Sequence, residues 1–140
     1  VSRILAIDYG KKRVGLAVTD PLQIIANGLT TVASHEVFNY LREYFKQEEV
    51  ECIVVGLPRQ LNNEYSESVK YIEPFINGLR NKFPDKKIEL VDERFTSVLA
   101  HQAMRDGGLK KKARQNKALV DEISATIILK DYLESKRFLK

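Results

Sequence analysis

The sequence predicts an α/β domain built on a mixed five-stranded sheet: an antiparallel meander of three strands plus two parallel strands, flanked by helices. Three observations predict it. The first third of the chain holds three short apolar segments at close spacing, broken by turn residues at Gly10 and at Asp20-Pro21, the pattern of a meander. Beyond it, two further strand-like runs at 52–55 and 87–91 alternate with segments whose apolar residues recur at the helical period. A length of 140 residues with 44% apolar and 30% charged residues suits one sizeable core. Residues 1–140 are therefore expected to form a single domain.

Each element has its own signal. Residues 4–8 are an apolar run closed by Asp8, Val14, Leu16 and Val18 alternate, and a weaker third strand spans 28–32. Ser34 is placed to cap a helix whose apolar positions Val37, Tyr40, Leu41, Tyr44 and Phe45 follow the 3.6-residue period. Residues 52–55, Cys-Ile-Val-Val, end at Gly56-Leu57-Pro58 and read as a strand buried on both faces. Residues 66–83 carry Val69, Ile72, Ile76, Leu79 and Phe83 on one helical stripe, with Pro74 expected to kink that helix or to start a second one. The strand at 87–91 delivers Asp92-Glu93-Arg94, and Thr96 or Ser97 would cap a short helix stopping at Gly107-Gly108. A long helix follows at 119–136, apolar on more than one side between Ile123 and Leu129.

Composition narrows the class. No apolar run approaches the length needed to cross a bilayer, and no secretory or lipidation signal is visible. The single cysteine, Cys52, excludes an internal disulfide and a cysteine-based zinc site and reads as a small core residue. A cytoplasmic location is expected. The formal charge of +4 is modest but unevenly spread, since residues 105–117 hold six cations (Arg105, Lys110, Lys111, Lys112, Arg114, Lys117) against one acid, Asp106. Solvated charge runs are the commoner meaning of such a stretch; a phosphate-contacting segment is the other.

The residues suited to chemistry are carboxylates at element ends. Asp8 closes the first strand and is followed by Tyr9-Gly10-Lys11-Lys12-Arg13, Asp92-Glu93 closes the last strand, and Asp121 lies in the opening turn of the final helix. Buried carboxylates are costly unless a cation meets them, and Gly10 would let a phosphate or another backbone come close. Oxygen ligands without neighbouring Cys or His select hard ions, so Mg²⁺ or Mn²⁺ is the expected occupant, with Asp8, Asp92, Glu93 and Asp121 as candidate ligands. Two such ions about 3.5–4 Å apart can activate water and neutralise a phosphodiester. Gly10, Lys11, Lys12, Arg13, Arg94, Lys110, Lys111, Lys112, Arg114 and Lys117 would then contact the flanking nucleic acid. His35 and His101 stand alone as surface or helix-face residues, and Tyr9 reads as a strand-end ring packed on the domain ahead of a base-stacking platform.

Four segments together resemble a known family. Asp8-Tyr9-Gly10-Lys11-Lys12-Arg13-Val14-Gly15-Leu16-Ala17, Val55-Gly56-Leu57-Pro58, Asp92-Glu93-Arg94-Phe95-Thr96-Ser97 and Asp121-Glu122-Ile123-Ser124-Ala125 look like the motifs of the YqgF family of bacterial Holliday-junction-resolvase-like nucleases. The resemblance spans nearly the whole chain in order and implies an RNase H-like fold. It also implies a metal-dependent nuclease maturing the small-subunit ribosomal RNA precursor, or a resolvase of DNA junctions, with structured RNA the expected partner ahead of a DNA junction. Carried over by position, Asp8, Glu93 and Asp121 are the catalytic acids, and Asp92 is the neighbour that competes with Glu93 as a ligand. One departure stands out: where the family has an Asp-Gly turn after Gly56-Leu57-Pro58, this chain reads Arg59-Gln60-Leu61-Asn62-Asn63-Glu64.

Two other classes compete. The opening Asp-x-Gly and hairpin also suit actin-like and sugar-kinase phosphotransferases, but those need a second lobe that 140 residues do not supply. A non-catalytic nucleic-acid-binding module on the same fold would keep the basic segment without the chemistry. Either a monomer or a weak homodimer is expected, with no membrane association.

Overall fold

Strands β1 (Arg3–Tyr9), β2 (Arg13–Thr19), β3 (Ala26–Ala33), β4 (Val50–Leu57) and β5 (Lys87–Asp92) form one sheet in the order β3-β2-β1-β4-β5. The computed structural model describes residues 2–57, 69–92 and 117–138. Strands β1, β2 and β3 pair antiparallel, while β4 joins β1, and β5 joins β4, in parallel. The first connections are short enough for hairpins, and the two parallel pairings need crossovers, which helices α1 (Val37–Gln47) and α2 (Val69–Lys82) provide. A last helix, α3 (Lys117–Phe138), completes the described residues. The mixed sheet with its flanking helices is that of an RNase H-like fold.

Alternation along the strands sorts the core into two layers. On one face Leu5 and Ile7 of β1, Val14, Leu16 and Val18 of β2, and Ile53 and Val55 of β4 pack with Val37 and Leu41 of α1 and Ile72, Phe75, Ile76 and Leu79 of α2. On the other, Ile4, Ala6, Ala17, Cys52 and Val54 pack with Ala125, Ile128, Leu129 and Leu133 of α3. Burial of both faces explains why 52–55 reads as unbroken apolar sequence. The α3 face is lined by small residues at Ala6 and Ala17, with Ala125 facing them, so this helix lies close against the sheet. On the α1/α2 face, by contrast, aromatic rings fill the space: Tyr9 stacks on Phe75 with centroids 4.2 Å apart, and Phe45 meets Phe83 edge-on at 5.0 Å.

One local expectation is corrected and one is narrowed. Ser34 does not cap α1: it opens a 3₁₀ turn, Ser34–Glu36, and Glu36 occupies the cap position without a side-chain hydrogen bond. The Ser34 hydroxyl donates instead to the Lys11 carbonyl at 2.7 Å, and its N–H donates to that of Lys12 at 3.0 Å. A partner from the adjacent hairpin has won over the local helix start. Pro74 does not begin a new helix, because α2 runs through it from Val69 to Lys82; only one backbone bond is lost, near the helix start, and the buried stripe on either side holds the helix together. The expected turn at 59–64, the short helix ending at Gly107-Gly108, and His101 lie outside the described residues.

Candidate active site

The carboxyl ends of the parallel strands β1, β4 and β5 share one edge of the sheet, with Leu57 in register with Asp92. Asp8 lies at this edge. Its position in the alternation of β1 puts it on the face of Ile4 and Ala6, towards α3, and it is half-buried. Tyr9, one residue on, faces the opposite way and packs on Phe75, so its ring belongs to the core.

Gly15 brings Asp121 to this place. It is the cross-strand partner of Asp8, and a Cβ built on it would collide with the Asp121 main-chain carbonyl. Only glycine lets α3 approach β2 here. Asp8 and the first turns of α3 therefore meet at the same residue, one across the ladder and the other from above. The Asp121 carboxylate is mostly buried, its side chain 20% exposed, and it accepts a charge-assisted bond from Arg13 Nε at 2.8 Å. That pairing offsets the cost of taking the carboxylate out of water.

The β1–β2 turn carries the remaining cations. Gly10 N–H donates to the Arg13 carbonyl at 2.9 Å, and a Cβ on Gly10 would stand only 2.6 Å from that oxygen, so the tight closure requires glycine. Lys11 and Lys12 are exposed at the tip. Ser34 fastens the backbone of both to the end of β3, which gives the two cations a fixed base. This bracing went unseen in the sequence, where nothing links a serine at the start of a helix to a turn 22 positions earlier.

Of the sequence-derived site residues, the structure brings Asp8, Gly10, Lys11, Lys12, Arg13 and Asp121 to one end of the β1–β2 hairpin. Asp92 ends β5 at the same sheet edge, its backbone in register with Leu57. Lys117 is the first residue of α3. Glu93, Arg94, Lys110, Lys111, Lys112 and Arg114 lie outside the described residues. His35 is 80% exposed beside Glu36, and Cys52 is a buried core residue. Among the described residues no group of three or more His, Cys, Asp or Glu side chains could hold a metal. Asp8 and Asp121, which lie on either side of Gly15, offer only carboxylate oxygens, the donors that hard divalent ions take.

A family model for RuvX, described as Holliday junction resolvase, matches residues 2–135. The chain belongs to the RuvX family. Its relatives include a protein of Phocaeicola vulgatus named "Putative pre-16S rRNA nuclease", 68% identical over 139 residues that cover 99% of this chain and 100% of the relative. A Bacteroides fragilis protein of the same name is 65% identical and covers 98% of this chain and 99% of its own. Among solved structures, T. thermophilus RuvC in complex with a Holliday junction substrate aligns with a TM-score of 0.55 and 15% identity, covering 98% of this chain and 96% of that one; the likeness is one of fold. Among the described residues of this RuvX member, no helix is long and apolar enough to cross a membrane.

Proposed function

We propose that this chain, a nuclease of the RuvX family, hydrolyses phosphodiester bonds in the precursor of 16S ribosomal RNA, using divalent ions held by Asp8, Glu93 and Asp121. The observation that carries the reading is near-full-length similarity, at 68% identity, to a relative bearing that name. The meeting of Asp8 with the start of α3 across Gly15 supports the assignment of residues.

Asp8 and the start of α3, which carries Asp121, approach one another across Gly15 and would supply two of the ligands. For the third carboxylate, the resemblance of Asp92-Glu93-Arg94-Phe95-Thr96-Ser97 to the family's motif favours Glu93 over Asp92. Mg²⁺ or Mn²⁺, two ions in the full site, would supply Lewis-acid stabilisation of the phosphodiester and a more acidic water. The chain's own residues do the rest. Asp8 and Asp121 would hold positive charge at the sheet edge. Lys11 and Lys12 attract the phosphates on either side, and Gly10 closes the tight turn that carries them. Arg94, Lys110, Lys111, Lys112, Arg114 and Lys117 extend the basic path. A cytoplasmic location and a monomer or weak homodimer complete the proposal.

A second reading, cleavage of four-way DNA junctions, is favoured by the description of the matching family. One assay separates the two. Purified full-length protein is incubated with precursor 16S rRNA, unstructured single-stranded RNA and a four-way DNA junction, each with Mn²⁺, with Mg²⁺ and with chelator. The proposal expects ion-dependent cleavage of the precursor well above the other two. Cleavage of the junction alone would replace it with the second reading, and cleavage insensitive to chelation would remove the metal from either.

A further inference from the structure

We infer that Arg13 acts as an exchangeable counter-ion: it neutralises Asp121 when no divalent ion is bound, and on ion binding it is displaced and turns to a phosphate of the nucleic acid. The inference rests on the ion-site reading of Asp8 and Asp121 given above and adds to it a role for Arg13 as the link between ion loading and substrate binding.

Three observations carry it. Arg13 Nε lies 2.8 Å from Asp121 Oδ2, so the guanidinium occupies a carboxylate oxygen that a cation would need. The backbone of Arg13 is pinned, since its carbonyl accepts the Gly10 N–H and its residue pairs with Ala33 of β3. Yet its side chain remains 39% exposed, twice the figure for Asp121. The base of the side chain is thus fixed while its tip can swing between the buried carboxylate and solvent.

Charge then dictates the order of events. A divalent ion and a guanidinium cannot both sit against the same oxygen, and each repels the other at that distance. Once an ion takes Asp121, Arg13 loses its partner at the mouth of a site approached by a polyanion. Its planar fork suits a phosphate better than an ammonium does. Linkage makes the effect reciprocal: if the ion frees Arg13 for phosphate, phosphate held by Arg13 must tighten the ion by the same factor. Lys11 and Lys12 are exposed at the turn tip, ready to meet phosphates with or without the ion.

The test measures binding and needs no turnover. Mn²⁺ is titrated calorimetrically into the full chain as wild type, Arg13→Gln, Arg13→Lys and Asp121→Asn, with thermal unfolding checked for each. Arg13→Gln should bind Mn²⁺ roughly two- to fivefold tighter, the size expected for removing a partly exposed ion-pair competitor. Arg13→Lys, which keeps the charge, should stay near wild type, and Asp121→Asn should lose most of the affinity. In parallel, the salt dependence of binding to a single-stranded RNA is measured with and without Ca²⁺. Wild type should exceed Arg13→Gln in slope by about 0.7, one phosphate contact, only when the ion is present. Unchanged or weaker Mn²⁺ binding in Arg13→Gln, with affinity lost in Asp121→Asn, would reduce Arg13 to a brace for α3 and overturn the inference alone. Equal Mn²⁺ binding by wild type and Asp121→Asn would overturn the ion-site reading, and this inference with it.

Discussion

Asp20 and Asp8 are both strand-end aspartates, and the fold uses them in opposite ways. The Asp20 carboxylate accepts the N–H groups of Leu22, Ile24 and Ile25 at 3.1, 2.8 and 2.7 Å. The bond from Ile25 is the main reason its pKa is held below the ordinary value of 3.8. A lowered folded pKa means the loop gains stability above the unfolded pKa and loses it as the pH falls through the folded one. Thermal unfolding of Asp20→Asn should therefore fall below wild type near neutral pH, with the gap closing as the pH falls through the lowered folded pKa and the wild-type carboxyl also becomes neutral. Asp8, in the proposed reading, holds an ion at the sheet edge instead. Asp8→Asn should unfold at a temperature close to wild type but lose ion-dependent cleavage by several orders of magnitude, because shape is kept while the ligand charge is removed. Undiminished cleavage of precursor rRNA by this variant would move the ion site elsewhere. The turn-forming role of Asp20 was legible from the Asp-Pro pair. That Ser34 braces the β1–β2 turn was not, since its partners Lys11 and Lys12 are distant in sequence.

At the scale of elements, the seam between β2 and α3 decides whether the site exists. Gly15, Ala6 and Ala17 admit the helix, and Ala125 faces them. Gly15→Ala forces a methyl group into the Asp121 carbonyl and should cost roughly 1–3 kcal/mol, the range for overpacking, readable by chemical denaturation. It should also cut cleavage more than that loss of stability explains, because Asp121 is carried away from Asp8. A variant of full activity would show that the two carboxylates need no close seam. The strands and α1 were legible because their periods of two and 3.6 are clean. The third strand runs longer than its apolar residues suggest, Ala26–Ala33, because hydrogen bonding to β2 fixes its ends and it lies at the sheet edge with little burial. Which face α3 would bury was not legible: its apolar residues surround the helix, and the choice is made by small residues on strands far away in sequence.

Over the whole molecule, Arg13 of the first hairpin and the α3 carboxylate Asp121, far apart along the chain, are brought together by topology. The cations of 105–117 precede the α3 carboxylate, and the Lys11-Lys12-Arg13 cluster follows Asp8. If the former segment binds phosphates, replacing Lys110, Lys111, Lys112 and Arg114 by Ala should weaken RNA binding across sequences and lower the salt slope by about 0.7 per lost contact. Stability should hardly change, as exposed charges contribute little to folding. An unchanged slope would make the segment a solvated run. The mixed sheet and the class of the fold could be read from the order of periodic segments, and the candidate acids from their places at strand and helix ends. What required coordinates was the meeting of residues 8, 15 and 121, which no local pattern encodes.

The central claim is that Asp8 and Asp121 hold one divalent ion across the β2–α3 seam. A crystal of the full chain soaked in Mn²⁺, with data collected at the manganese absorption edge, tests it most directly. The account predicts an anomalous peak within ligand distance, about 2.0–2.3 Å, of both carboxylates, with Arg13 moved off Asp121. A peak bound away from Asp8, or an Arg13–Asp121 pair intact beside a bound ion at Asp8 alone, would contradict it.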